Sequence, residues 1–394
     1  MNRSIELLSP AGDMERLQTA LFYGADAVYL AGKNFGMRAS AANFSDGQLE
    51  EAVRIVHDLG RRIYVTCNTL PREYELELLP QYLGFLQDIG VDALIIADLG
   101  VLTLANRYAP RIAKHVSTQL GVVNSETAEF LHREGVDTVV LARELTVEEI
   151  FSIRKKVSRE LKLECFVHGA MCVSFSGRCL LSNYLSNRDA NRGQCAQPCR
   201  WKYHLVEETR PGQFFEITED KGTFILNSND LRMIEHLDEL IDAGIDSFKI
   251  EGRMKSTYYT GVVTNAYRHA LDAFLTGQRP DAGWIHETEM VSHRPYCTGF
   301  FYGYPGQHYG TSSYDQDAEI VAIVESCAED GKAILSQRNK FIEGDTLQIV
   351  LKDALPITFI ARDVPDTSHA MAAFELMLPC KAEKNTIIRR LKHE

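Results

Sequence analysis

Four of the nine cysteines in this chain are clustered in the stretch Cys172 to Cys199, as Cys172, six residues, Cys179, fifteen residues, Cys195, three residues and Cys199. Glycine, serine, asparagine and arginine separate them, without the apolar periodicity of a buried element, so the spacing describes a loop folded around something that sulfur binds. Zinc and iron–sulfur centres both accept four thiolates. Zinc ribbons pair cysteines two to four apart at both ends, and only the Cys195/Cys199 end does so. The wider Cys172 to Cys179 interval suits a 4Fe-4S cube at least as well, and Arg200 and Trp201 follow Cys199 where a radical-type motif would place another thiol. The bland alternative is four unrelated core thiols, and it is disfavoured because none of the four lies in an apolar run.

Other groups near this loop also have chemistry to offer. His168, four residues before Cys172, is either a proton shuttle or a structural donor to the loop backbone. Arg188, Arg192, Arg200 and Lys202, interleaved with Tyr184, Trp201 and Tyr203, have the cations and rings that hold phosphates and stack on an unpaired base. The same arginines would also serve to offset a tetrathiolate's charge. Further along, Lys249, Glu251, Arg253 and Lys255 form an anion site beside a carboxylate. The Arg253 guanidinium suits a dicarboxylate, whereas Lys249 and Glu251 read somewhat better as an internal ion pair. Asn68 and Gln119, at strand ends, either orient a substrate or satisfy one another. A zinc His-Glu-x-x-His and a Gly-x-Ser-x-Gly elbow are both absent, and a Cys172/His168 peptidase pair has no evident orienting partner.

Something must hold these groups together, and the rest of the chain shows what. Short β-branched runs at Ile5–Ser9, Ala27–Ala31, Arg62–Asn68, Ala93–Asp98, His115–Gln119, Thr138–Arg143, Glu164–His168 and Asp246–Gly252 alternate with segments of helical period. A small repeat precedes four of them: Gly24-Ala25-Asp26, Gly90-Val91-Asp92, Gly135-Val136-Asp137 and Gly244-Ile245-Asp246. Each places a glycine where a helix stops, followed by a turn residue before the next strand. This is the pattern of an α/β fold, a (β/α)8 TIM-like barrel over 1–278, with a doubly wound open sheet as the runner-up. The cysteine loop, 168–203, follows the seventh strand and so lies on the face where such barrels build active sites. Alternation turns Tyr64, Thr66, Asn68, His115, Ser117, Gln119, Glu164, His168, Lys249 and Glu251 inward, and leaves Cys67 and Cys165 in the outer core. A connector, 279–316, rich in glycine, proline and aromatics, leads to 317–394, where six short alternating runs predict a small C-terminal β-barrel domain.

The residues Glu164, Phe166, His168-Gly169-Ala170-Met171-Cys172, Ser176-Gly177-Arg178-Cys179 and Ser182 resemble the signature of the collagenase-like peptidase family of unclassified mechanism, peptidase family U thirty-two. The continuation Asn187-Arg188-Asp189, Gly193, Cys195 and Cys199-Arg200-Trp201-Lys202-Tyr203 looks most like its tRNA hydroxylation protein P branch. The resemblance implies a barrel with a C-terminal β domain and an iron–sulfur cluster on Cys172, Cys179, Cys195 and Cys199. It also implies hydroxylation of wobble uridine in tRNA to 5-hydroxyuridine, with prephenate as a required metabolite. Within that reading His168, Glu251 and Arg253 are catalytic candidates, and Asn68, Gln119, Lys249, Arg253, Arg188 and Arg200 contact metabolite or RNA. Sister branches imply ribosomal RNA or ubiquinone hydroxylation, and the family name keeps a collagenase-like peptidase open. A zinc-stabilised RNA-binding module is a further alternative.

A formal charge of −12 excludes general nucleic-acid binding, so RNA contact must come from local patches, and DNA is not expected as a partner. A related family member or a redox protein is an expected partner, and no membrane is. The start Met1-Asn2-Arg3-Ser4 lacks signal-peptide features and no apolar run reaches membrane-span length, so a cytoplasmic setting with reduced thiols is expected.

Overall fold

A computed structural model describes residues 5–37, 42–201, 205–206, 214–215, 228–306, 315–364 and 371–392. Seven parallel strands come first: β1 (Glu6–Pro10), β2 (Ala27–Leu30), β3 (Arg62–Cys67), β4 (Ala93–Ile96), β5 (Ala113–Val116), β6 (Thr138–Val140) and β7 (Lys162–Ala170). Three short strands follow, β8 (Leu205–Val206), β9 (Phe214–Phe215) and β10 (Asp230–Arg232), before the eighth barrel strand, β11 (Ser247–Ile250). β11 pairs in parallel with both β7 and β1, which closes the ring. Closure decides for the TIM-like barrel over the open sheet.

The four Gly-x-Asp repeats explain how the strands find their register. Their glycines take φ of 95°, 85°, 87° and 92° at Gly24, Gly90, Gly135 and Gly244, a left-handed turn that a side chain resists. Each aspartate then grips the preceding strand with its backbone and its side chain. The Asp26, Asp92, Asp137 and Asp246 amides donate to the carbonyls of Leu7, Ile63, Lys114 and Leu163. Their carboxylates accept from the amides of the same four residues, at 3.0, 2.8, 2.8 and 2.9 Å. The barrel is thereby stapled in strand pairs, β1 to β2, β3 to β4, β5 to β6 and β7 to β11.

The helices start where capping chemistry directs. Ser45 and Gln48 form a reciprocal capping box on the helix Asp46–Asp58, and Thr146 and Glu149 do so on Val147–Lys156. Two segments differ from the pattern read along the sequence. A helix, Leu99–Tyr108, fills the interval after β4, where Gly100, Val101 and Thr103 blur the helical period but the Asp98 side chain caps the Val101 amide at 3.0 Å. Before β11 the helical period is confined to Leu237–Asp242, and Asp230–Arg232 pairs antiparallel with the end of β7.

Inside the barrel, Leu8, Ala27, Tyr29, Tyr64, Ala93 and Ile95 form an apolar cluster. Beside it runs a buried polar ladder. Lys249 Nζ donates to Glu164 at 2.7 Å, and Ser247 Oγ lies 3.4 Å from Glu164 and 2.9 Å from Glu6. Tyr64 OH donates to the other Glu6 oxygen at 2.6 Å. Burial first, and the Glu6 carboxylate next, push the Tyr64 phenol far up. Burial also raises the Glu164 carboxyl, with Lys249 pulling it back. The ion pair expected between Lys249 and Glu251 is thus made instead between Lys249 and Glu164.

β7 contains an extra residue: Phe166 pairs with Lys249 but His168, not Val167, pairs with Ile250. This bulge breaks the alternation on which the inward placement of His168 rested. His168 takes the register of Ile250, is buried, and packs on Tyr296 of β12 (Tyr296–Cys297) with ring centroids 5.4 Å apart.

The C-terminal strands β13 (Ala318–Cys327), β14 (Lys332–Gln337), β15 (Thr346–Val350), β16 (Ile357–Ile360), β17 (Ala373–Met377) and β18 (Ile387–Leu391) make a separate curled antiparallel sheet in the order β16-β15-β18-β13-β14-β17. All six runs read from the sequence are strands. Val321, Val324, Leu335, Leu347, Ile349 and Ile388 centre its core. The compact unit containing this sheet also takes in residues 15–25 and 255–293, while the barrel strands belong with 1–14, 26–254 and 294–314. Within the former, Arg389 donates to both Glu287 oxygens at 2.8 and 2.7 Å. Among the described residues no helix is long and apolar enough to cross a membrane.

Candidate functional site

A cavity of about 210 Å³ is bounded by residues at and just beyond the C-terminal ends of the barrel strands, and all four clustered cysteines line it. From β3 and β5 come Thr66, Asn68, Ser117 and Gln119, and from β11 and the turn after it Lys249, Glu251 and Arg253. Their contacts are specific. Asn68 donates to Gln119 at 3.1 Å and accepts from the Met37 amide at 3.0 Å, so these two amides satisfy one another while facing the cavity. Arg253, almost fully buried, donates to Thr66 Oγ1 at 3.0 Å. Tyr29 OH donates to the Ile250 carbonyl at 3.0 Å and lies 3.5 Å from a Glu251 oxygen.

The cysteine loop is shaped by short turns. Single-turn helices at Phe175–Gly177, Ala190–Arg192 and Pro198–Arg200 and the helix Leu181–Ser186 are joined through Ser176, Asn187 and Gln197, all at positive φ. Asparagine tolerates that conformation; serine and glutamine need outside support. Ser176 has it, because Glu144 accepts from its amide at 2.6 Å and its hydroxyl at 2.8 Å. Asn191 donates to the Cys179 carbonyl at 3.2 Å, and Ser182 Oγ accepts from the Ala196 amide at 3.0 Å. Gly169 lets β7 enter this loop: at φ 110° its missing Cβ would stand 2.4 Å from the Glu251 carbonyl oxygen.

All nine cysteines are free thiols. Backbone amides of Leu181 and Gln197 donate to the sulfurs of Cys179 and Cys195, each at 3.4 Å. Burial pushes the Cys199 thiol up, with neighbouring Cys172 and Cys195 adding and Arg200 opposing. Among the described residues, however, no three His, Cys, Asp or Glu side chains converge tightly enough to grip a metal ion as they stand. As a donor set the loop still fits a thiolate-bound centre, because four free thiols line the same cavity and backbone amides donate to two of the sulfurs. Cys67 and Cys165 stay buried in the core, where burial pushes the Cys67 thiol up to about 12.

The structure brings together Cys172, Cys179, Cys195, Cys199, Asn68, Gln119, Lys249, Glu251, Arg253 and Arg200 as lining residues, and neither His168 nor Arg188 is among them. Arg188 is exposed and donates to the Gln194 carbonyl at 3.0 Å, and Arg192 pairs with Glu75 at 2.6 Å. Lys202 and Tyr203 lie outside the described residues. Two charged lining residues escaped the sequence reading, Arg143 and Glu144. Parity along Thr138–Arg143 would turn Arg143 outward, but β6 ends at Val140 and the chain then turns. Basic and acidic neighbours directly after a barrel strand were the available signal.

The sequence pattern of Peptidase family U32 matches residues 12–310. The chain belongs to this family. Among its U32-like relatives, tRNA hydroxylation protein P1 of Bacillus subtilis (strain 168) is 38% identical over 350 residues, which cover 87% of this chain and 82% of the relative. The 23S rRNA 5-hydroxycytidine C2501 synthase of Escherichia coli (strain K12) is 38% identical over 299 residues, 74% of this chain and 44% of that longer protein. A protein named collagenase from Porphyromonas gingivalis (strain ATCC BAA-308 / W83) is 32% identical over 311 residues, covering 76% of this chain and 73% of the relative.

Proposed function

We propose that this U32 protein is an RNA-hydroxylating enzyme that acts on the wobble uridine of tRNA to give 5-hydroxyuridine, with prephenate as the required metabolite and an iron–sulfur centre on its cysteine loop. The observation behind this reading is that four free thiols share a cavity with Asn68, Gln119, Lys249, Glu251 and Arg253 at the barrel face where active sites form. Relatives named for tRNA and rRNA hydroxylation support the RNA substrate. Cys172, Cys179, Cys195 and Cys199 would hold the centre, which supplies one-electron chemistry when bound.

The chain's own residues have distinct tasks in this account. Arg253 receives negative charge on the small molecule, since guanidinium binds carboxylate in a fixed fork. The Asn68–Gln119 pair presents amide groups that match the hydrogen-bonding edge of a flipped-out base. Outside the cavity, residues 172–201 contain four arginines and a single acidic residue, in a chain of net charge −12. Exposed Tyr184 and Trp201 lie in the same segment and offer rings for neighbouring bases.

The test is nucleoside analysis of tRNA from cells lacking the protein and any redundant pathway, complemented with wild type or Cys195→Ala. Wild type should restore 5-hydroxyuridine and the variant should not. The relative named collagenase sustains one competing reading, a peptidase. Cleavage of denatured collagen by the metal-stripped chain, with unchanged 5-hydroxyuridine in the deletion strain, would establish that reading instead.

A further inference from the structure

The cavity is lined by four cations, Arg143, Arg200, Lys249 and Arg253, against two carboxylates, Glu144 and Glu251. Glu144 is engaged by the Ser176 amide and hydroxyl, and Lys249 by Glu164. Arg143 is held differently. Its guanidinium stacks over the Phe166 ring at 3.8 Å, and Nη1 donates to the Ala170 carbonyl at 2.8 Å, which fixes the plane of the group. Nη2 stands 3.9 Å from a Glu251 oxygen that Tyr29 OH also approaches at 3.5 Å, a long ion pair beyond hydrogen-bond reach, and the Arg143 side chain keeps 14% exposure at the cavity wall. A rigid guanidinium facing a carboxylate across a gap wider than a hydrogen bond is arranged to accept a closer anion.

We infer that Arg143 is the specificity-determining anchor for one carboxylate of a dianionic small molecule, and that Glu251 is a place-holder which the ligand's carboxylate displaces. This rests on the reading above that the cavity takes a dicarboxylate metabolite, and adds the residue that selects it. The stack on Phe166 and the bond to Ala170 orient the guanidinium before the ligand arrives, so little side-chain entropy is lost on binding. The two charged side chains then have opposite effects on affinity. Arg143 attracts the ligand, and Glu251 competes with it for the same cation.

Isothermal titration of the full chain with prephenate and, separately, with succinate tests this. Arg143→Gln should weaken binding about tenfold or more, and Arg143→Lys should fall between it and wild type because ammonium lacks the fork. Glu251→Gln should bind about three- to tenfold tighter, a gain that a merely structural role would not produce. Wild-type affinity in Arg143→Gln, or a loss in Glu251→Gln matching that of Arg143→Gln, overturns the inference. Should Arg143→Gln fail to fold, the Arg143→Lys and Glu251→Gln pair decides the matter alone. Binding of succinate but not prephenate with this pattern leaves the anchor standing and removes prephenate from the proposed function. Binding of neither by the wild type overturns the anchor itself.

Discussion

Replacing His115 with glutamine removes an imidazole held in an unusual environment, and the effect on acid stability can be worked out in advance. His115 is 6% exposed inside the barrel, with its ring 4.6 Å from that of Tyr64. Among the described residues its Nδ1 has no hydrogen-bond partner. Burial first, then Lys249, Lys162 and Arg62, hold its pKa down at about 3. The unfolded chain titrates near pH 6.5, so between these values the unfolded state binds a proton that the folded state refuses. A depressed folded pKa means stability that is present above the unfolded value and is lost as pH falls toward the folded one. At about 1.36 kcal/mol per pH unit, roughly 1.5 units below the unfolded pKa, near pH 5, the loss is about 2 kcal/mol. Urea denaturation at pH 7.5 and pH 5 measures it. Wild type should lose about 2 kcal/mol more than His115→Gln between the two pH values. Parallel losses in both proteins would refute the reasoning, as would an imidazole C2–H resonance of His115 that titrates above pH 5.

Three more outcomes follow from the barrel. Lys249→Met and Glu164→Gln should each cost about 3–5 kcal/mol in urea denaturation, because each strands one charge of a buried pair, and the double variant should recover most of that loss. Gly169→Ala, whose Cβ would meet the Glu251 carbonyl, should lower stability on the order of 1–3 kcal/mol, seen as a reduced melting temperature. Asp246→Ala should cost about 1.5–3 kcal/mol while Asp246→Asn costs less, since asparagine keeps an acceptor for the Leu163 amide; equal losses would mean that the staple acts through charge alone.

The barrel was legible in the chain because its signals repeat. Four Gly-x-Asp turns and eight β-branched runs recur at intervals that only alternating strands and helices satisfy, and local chemistry at Asp26, Asp92, Asp137 and Asp246 enforces the register. The C-terminal strands were legible for a similar reason, short alternating runs between turn residues. What escaped was geometry set by neighbours distant in sequence. The bulge at Val167 falls where β7, paired with β11, also begins to pair with β10, and nothing local to His168 announces it. The partner of Lys249 is Glu164, 85 residues away, and is fixed only once the barrel closes. Arg143 reaches the cavity because its strand ends early. In the cysteine loop the residue types announced a shared site; the four cysteines line one cavity, while among the described residues no three ligand side chains converge as a metal site.

The most direct test of the central claim is anaerobic purification of the full chain with iron, acid-labile sulfide and zinc analysis, wild type beside Cys195→Ala. The account predicts a brown protein with roughly four irons and matching sulfide in the wild type, and a marked loss of both in the variant. A colourless wild type that carries stoichiometric zinc, or no metal and intact free thiols, would contradict it.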